Sequence, residues 1–211
     1  MAADAQFLGA GGLRLPRPAE LTYAVTMDSE SSDRALMLRY RDGDNAAFEI
    51  LYRRHNDALY RYLLRRCRHR DSAEDIFQDV WGKIIHARSS YRPTAKFATF
   101  LYRVAYNCFI DHTRRNKRHA AAVPVNTETC ADSAEQPDAL TERALARRRL
   151  DAALKALPDE QRDVFLLHEE AGLNLEDIAA VTGSSRETTK SRLRYAVNKL
   201  RAAIDEPTRS S

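Results

Sequence analysis

Four cations crowd the segment Arg114-Arg115-Asn116-Lys117-Arg118, and the stretch leading into them, KFATFLYRVAYNCFIDHTRRNKR from Lys96 to Arg118, alternates aromatic with small residues. Two chemistries suit this pattern. Aromatic faces at Phe97, Phe100, Tyr102, Tyr106 and Phe109 can stack on unpaired bases, and the cations can neutralise phosphates. The same aromatics recur at helical steps, and Phe100, Val104 and Ile110 read as at least partly core by that spacing. The basic tail is harder to assign to packing, because clustered cations repel one another without a counter-charge.

A second basic segment follows a turn. From Ser184 to Arg201 the cations are Arg186, Lys190, Arg192, Arg194, Lys199 and Arg201, with Glu187 as the acid. Just before it, Leu175, Ile178, Ala179 and Val181 form a short apolar face, Gly183 ends that helix, and Ser184 or Ser185 caps the next, which buries Thr189, Leu193, Val197 and Leu200. Helix, glycine turn, helix is a helix-turn-helix pattern. Its second helix presents short and forked side chains that can reach base edges in a major groove. A third constellation, SAEDIFQDVWGKI, places Glu74, Asp75, Gln78 and Asp79 on one helix face. Opposite an apolar stripe such a face is either solvated or suited to a basic protein partner.

These elements need positioning, and helices supply it. Phe48, Leu51, Tyr52, Leu59, Tyr62 and Leu63 fall in three- and four-residue steps, with Arg53, Arg54, Arg61, Arg65 and Arg66 expected on the opposite, solvent face. Asp71-Ser72 reads as an N-cap, with Glu74 three residues on, and Ile76, Phe77, Val80, Trp81, Ile84 and Ile85 point inward. Ser89 to Ala95 is a loop broken by Pro93, and Pro158-Asp159 opens a helix with Val164, Phe165, Leu166 and Leu167. Strand patterns do not occur. Residues 120–141 contain Pro124 and Pro137 and the acids Glu128, Asp132, Glu135 and Asp138, without lysine or arginine, which is a linker composition. The expected organisation is therefore all-α: a leader at 1–32, a helical domain at 33–119, a flexible acidic linker at 120–141, a second small helical domain at 142–204 and a tail at 205–211.

Over 211 residues the chain carries 44% hydrophobic and 30% charged residues and a net charge of +4. The isoelectric point near 9.0 favours an anionic partner. Cys67, Cys108 and Cys130 are scattered and odd in number, so neither a disulfide framework nor a zinc site is supported, and a reducing cytoplasm fits. No apolar run reaches the roughly 18 residues that span a bilayer. Clustered carboxylates with a histidine, a glycine-rich phosphate loop and a nucleophile motif are all missing, which argues against an enzyme and against a metal or other cofactor. His168, in FLLHEEAGL, reads as packing, or pairing with Glu169 or Glu170, at the helix end.

The motifs AEDIFQDVWGKI, FATFLYRVAYNCFIDHTRRNKR and LPDEQRDVFLLHEEAGLNLEDIAAVTGSSRETTKSRLRYAVNKLR, in that order and with that linker between, resemble a bacterial sigma-70 family RNA polymerase sigma factor of the extracytoplasmic-function (ECF) type. The resemblance covers about residues 34–204. It implies a transcription initiation factor with two domains, region 2 and region 4, whose partners are the clamp coiled coil and flap of core RNA polymerase, single- and double-stranded promoter DNA, and an anti-sigma factor.

Carried over to this sequence, Asp75, Gln78, Asp79 and Trp81 would dock on the polymerase. The loop from Ser89 to Ala98 would receive a flipped base, which cannot be read while stacked in the duplex. Lys96, Phe97, Thr99, Phe100, Arg103, Asn107, Arg114, Arg115, Lys117 and Arg118 would hold the melted minus-ten element. Ser185, Arg186, Glu187, Thr188, Lys190, Ser191, Arg192, Arg194 and Tyr195 would read the minus-thirty-five element. Many relatives carry tryptophan where Phe100 stands, and many open the recognition helix with valine-glycine-threonine-valine where this chain has Arg186-Glu187-Thr188-Thr189. A helix-turn-helix regulator that never joins polymerase would use the third motif and leave the first two without a task.

Overall fold

The computed structural model describes residues 32–67, 69–122 and 142–205. These form α1 (Asp33–Arg41), α2 (Asn45–Arg66), α3 (Arg70–His86), a 3₁₀ turn (Arg88–Ser90), α4 (Phe97–Ala122), α5 (Glu142–Lys155), α6 (Asp159–Glu169), α7 (Leu175–Thr182) and α8 (Arg186–Asp205), with no strand among the described residues. The expected leader (apart from Ser32), most of the linker and the tail beyond 205 lie outside the described residues.

The front bundle, α1 to α4, is started by side chains that satisfy the free N–H groups of helix ends. Ser32 Oγ accepts from Ala35 N at 3.3 Å. Asp44 Oδ1 accepts from Ala46 N at 3.0 Å and Ala47 N at 3.3 Å, while Arg39 holds its other oxygen at 2.7 Å. Gly43, at φ 118°, supplies the left-handed step between α1 and α2 that a side chain would strain. The apolar faces then close on one another: Leu36 and Met37 of α1, Leu51, Leu59 and Leu63 of α2, Ile76, Val80 and Ile84 of α3, and Leu101 and Ala105 of α4 are all buried.

Two local expectations change here. α3 begins at Arg70 behind His69, which gives no side-chain cap, and Asp71 lies inside the first turn, favourable to the helix dipole. Glu74 does not complete a capping box; it takes Arg70 Nε at 2.9 Å and the Tyr60 hydroxyl at 3.2 Å.

The rear bundle, α5 to α8, packs Leu154 and Leu157 against Val164, Leu166, Leu167, Ile178, Val181, Ala196 and Leu200. Its α5–α6 corner depends on Arg162, which is 4% exposed. The guanidinium donates to the carbonyls of Leu154 at 2.8 Å, Lys155 at 2.9 Å and Leu157 at 2.9 Å. A cation thus satisfies acceptors that a helix C-terminus leaves open.

The two bundles touch. α4 packs on α7 and α2 on α6. Of the arginine row expected to face solvent from α2, Arg66 is 4% exposed and lies in this joint. It pairs with buried Asp163 through Nε and Oδ1, and through Nη2 and Oδ2 at 3.1 Å. Its guanidinium also lies 3.9 Å over the Phe109 ring. The amphipathic period of α2 shows that one face is apolar; it does not show that the polar face meets a second domain.

Arg162→Met keeps the apolar stem and removes the donors, leaving three buried carbonyls short of a partner; thermal unfolding should show a loss of about 2–3 kcal/mol. A second dependence concerns pH. Asp33 accepts from His55 at 2.7 Å and Arg54 at 2.8 Å. The His55 hydrogen bond, and behind it Arg54, hold its carboxyl below the ordinary 3.8 against the opposing effect of burial. A lowered folded value means stability that is present above pH 3.8 and is lost as pH falls through that lowered value. Asp33→Asn should therefore lower the melting temperature at pH 7, by the equivalent of about 1 kcal/mol for a half-exposed pair, with the difference from the parent closing in acid.

Candidate nucleic-acid and polymerase interfaces

On α3, Asp75, Gln78 and Asp79 share the exposed face, as the acidic stripe requires. Trp81 does not join them: it is 5% exposed and sits among Tyr52 at 4.9 Å, Phe48 at 5.8 Å and Phe77 at 6.4 Å. The stripe has a neighbour that spacing could not reveal. Across the α3–α4 groove Arg115 Nη2 lies 3.6 Å from Asp79 Oδ2, and Lys83, Asp111 and Arg118 line the same groove. The basic tail of α4 therefore has a counter-charge at Arg115. Arg114, Lys117 and Arg118 are exposed along the same end of the helix, Arg118 reaching back to the Arg114 carbonyl at 3.3 Å.

At the other end of α4 the aromatics divide between core and surface. Phe97 and Tyr102 are each 1% exposed. Phe97 packs against His55 at 5.2 Å and Tyr102 against Tyr62 at 5.4 Å, so neither presents a face for stacking. Phe100 is half-buried, 5.4 Å from Tyr91, and Tyr106 and Phe109 are half-buried as well. Lys96, Arg103 and Asn107 are exposed, whereas Thr99 is 2% exposed. Three of these residues contact the rear bundle. Asp177 accepts from Lys96 Nζ at 3.0 Å and from Thr99 Oγ1 at 2.9 Å, and the Ala180 carbonyl accepts from Arg103 at 2.8 Å.

The helix-turn-helix is wired through hydroxyls. Gly183, at φ 68°, makes the left-handed C-cap of α7. Ser184 Oγ lies 2.9 Å from the hydroxyls of Thr182 and Thr189, and Thr189 itself is fully buried. Ser185, not Ser184, is the cap: its Oγ accepts from Thr188 N at 3.1 Å. With Thr189, Ala196 and Leu200 inward, α8 turns Arg186, Glu187, Thr188, Lys190 and Arg194 to solvent. Arg186 is 3.2 Å from Glu176. Arg194 lies 5.4 Å over the ring of Tyr195, which is 55% exposed. Ser191 and Arg192 are half-buried, and Arg192 pairs with Glu160.

His168 does not pair with its neighbouring acids: its Nδ1 is 3.1 Å from the Leu173 carbonyl, and Glu170 is taken by Arg61 at 2.9 Å and Arg65 at 2.5 Å. Asp163, Glu170 and Asp177 are thus residues of the joint that spacing alone does not single out, because each partner lies on another bundle. Burial pushes the Asp163 carboxyl up to about 6 against the pull of Arg66. Burial also raises the thiols, Cys67 to about 11 and Cys108 in the same direction, which disfavours the thiolate at both. No group of three or more metal-ligating side chains occurs among the described residues. None of their helices is long and apolar enough to cross a membrane.

Comparison with known proteins agrees with this geometry. Family models described as Sigma-70 region 2 and Sigma-70, region 4 match residues 51–119 and 153–202. RNA polymerase sigma factor CarQ of Myxococcus xanthus is 32% identical over 170 residues, covering 81% of this chain and 96% of that protein. ECF RNA polymerase sigma factor SigM of Mycobacterium tuberculosis is 32% identical over 163 residues, covering 77% and 80%. Among solved structures, the sigma factor RpoE in complex with the anti-sigma factor NepR from Bartonella quintana aligns with a TM-score of 0.63 at 25% identity, over 75% of this chain and 98% of that one. CnrH in complex with the cytosolic domain of CnrY aligns at 0.60, also at 25% identity, over 83% and 98%. With both regions matched in order and these relatives covered over 80–96% of their length, the chain belongs to the sigma-70 family, as an ECF-type sigma factor that acts with RNA polymerase in promoter-specific transcription initiation.

Proposed function

We propose a division of labour within that role. The exposed face of α3 at Asp75, Gln78 and Asp79 docks on the clamp coiled coil of core polymerase. α4 holds the melted minus-ten strand, with Arg103, Asn107, Arg114, Lys117 and Arg118 on phosphates or bases and half-buried Phe100 as the remaining stacking face. α8 enters the major groove of the minus-thirty-five element with Arg186, Glu187, Thr188, Lys190 and Arg194. Residues 33–119 and 142–204 are the two functional units. Phosphoryl transfer belongs to the polymerase, and this chain's side chains bind and orient DNA, which places its work in the cytoplasm. An anti-sigma factor is a further expected partner, as NepR is in the complex of RpoE.

The observation that carries this reading is the orientation of α8. Buried Thr189, Ala196 and Leu200 fix its inner side, so Arg186, Glu187, Thr188, Lys190 and Arg194 face outward from its N-terminal half. The reading without polymerase is weaker, since the exposed face of α3 at Asp75, Gln78 and Asp79 then has no task.

The test is run-off transcription with purified core polymerase on a genomic fragment library, with and without the protein. New start sites only in its presence support the reading; duplex binding without core binding refutes it. On a promoter so identified, Arg114→Ala with Lys117→Ala should weaken opening about tenfold while core binding is kept, and should reduce the salt slope of single-strand binding by about 0.7 per lost phosphate contact. In the rear bundle, Glu187→Ala should relax base preference at one position of the minus-thirty-five element, worth about 1–3 kcal/mol. Lys190→Ala, if the lysine meets a phosphate, should weaken all sequences alike.

A further inference from the structure

Each ion pair between described residues of the two bundles runs in the same direction, with the base in front and the acid behind. Arg61 and Arg65 hold Glu170. Arg66 holds Asp163, with Asp159 at 3.5 Å. Lys96 holds Asp177. One face of the rear bundle therefore offers α2 and α4 a row of carboxylates, as a nucleic-acid backbone would offer phosphates. At Asp177 the likeness is local as well: one anionic oxygen meets an ammonium and the other a hydroxyl, at 3.0 and 2.9 Å.

We propose that α7 is an intramolecular competitor of single-stranded DNA: the rear bundle folds back on α4, Asp177 occupies the anion site of Lys96 and Thr99, and the Ala180 carbonyl occupies Arg103. The closed molecule is shut to the melted strand and open to duplex, because Arg186, Glu187, Lys190 and Arg194 on α8 remain exposed while α7 is engaged. This rests on the assignment of α4 to melted DNA made above.

The joint is suited to opening. It is held by carboxylate–guanidinium and carboxylate–ammonium pairs, whose desolvation offsets much of their attraction. Interfaces between domains of one chain resemble transient complexes rather than permanent ones. The occupant is the chain's own rear bundle, since the acids that match the front cations all lie on α6, α7 and the turn between them.

The test uses the full chain and a latch outside the proposed DNA contacts. Glu170→Arg opposes Arg61 and Arg65 and should open the joint; adding Arg61→Glu and Arg65→Glu restores opposite charges and should close it again. Two readouts are taken: the radius of gyration by small-angle X-ray scattering, and affinity for a fluorescent pool of random single-stranded DNA 12-mers. If the closed form dominates by about ten to one, opening should raise that affinity about tenfold, since apparent affinity scales with the open fraction.

Asp177→Asn, which keeps the side chain's shape, should raise single-strand affinity in the same direction. The expected result is a larger radius and tighter single-strand binding for Glu170→Arg, both reversed in the triple variant, with duplex affinity unchanged. An unchanged radius overturns the proposal, as does expansion without tighter binding. A compact form that appears only in a concentration-dependent dimer assigns the joint to two copies and overturns the intramolecular version. Failure of the underlying reading is separable: Arg103→Ala in the opened variant would then leave both single-strand binding and run-off transcription unaffected.

Discussion

Arg66 and Asp163 meet at the joint of the two bundles, each side chain only 4% exposed. Taking both charges out of water costs several kcal/mol per ion, so the pair is poor as a source of net stability and strong as a determinant of register. A docking that slid by one helical turn would leave two buried charges unmatched. The Phe109 ring beneath the guanidinium narrows the choice further. Once that pair is seated, Glu170 falls between Arg61 and Arg65, and Asp177 reaches Lys96 and Thr99. The mutual placement of α4 and α7 follows from a contact buried between α2 and α6.

The rear bundle is two-faced as a result. Acids on α6, on α7 and in the turn between them meet the front bundle, while cations on α8 face outward. Gly183 and the hydroxyls of Thr182, Ser184 and Thr189 hold α7 and α8 at a fixed angle, so the two faces move together. This couples the joint to the duplex-reading helix mechanically, with a turn too short to absorb the motion.

Much of this was legible in the residues. The amphipathic periods of α2, α3 and α8, the Pro158 and Gly183 boundaries and the outward positions of Asp75, Gln78, Asp79 and Lys190 follow from local rules of spacing and capping, although Ile85, expected inward on α3, is 45% exposed. What local rules could not supply is which polar face meets another domain. Arg66 sits among arginines that spacing assigns to solvent, and only the approach of α6 buries it. Thr99 and Phe97 carry types suited to DNA contact, yet a second bundle and His55 cover them. Trp81 lies on the same helix as the acidic stripe but about one-third of a turn inward, where Phe48, Tyr52 and Phe77 enclose it. Arg162 gave no signal at all, because its partners are main-chain carbonyls whose exposure depends on where α5 happens to end.

Trp81 is the protein's one tryptophan, and its enclosure by three aromatic rings has an optical meaning. Its indole emits from an apolar site in α1–α4, while α5–α8 holds no such fluorophore. Indole emission, excited selectively over tyrosine, therefore watches one half of the molecule. Melting of the rear bundle alone would pass unseen by that signal and visible by circular dichroism, so the two probes diverge if the halves unfold separately and coincide if the joint makes them a single cooperative unit.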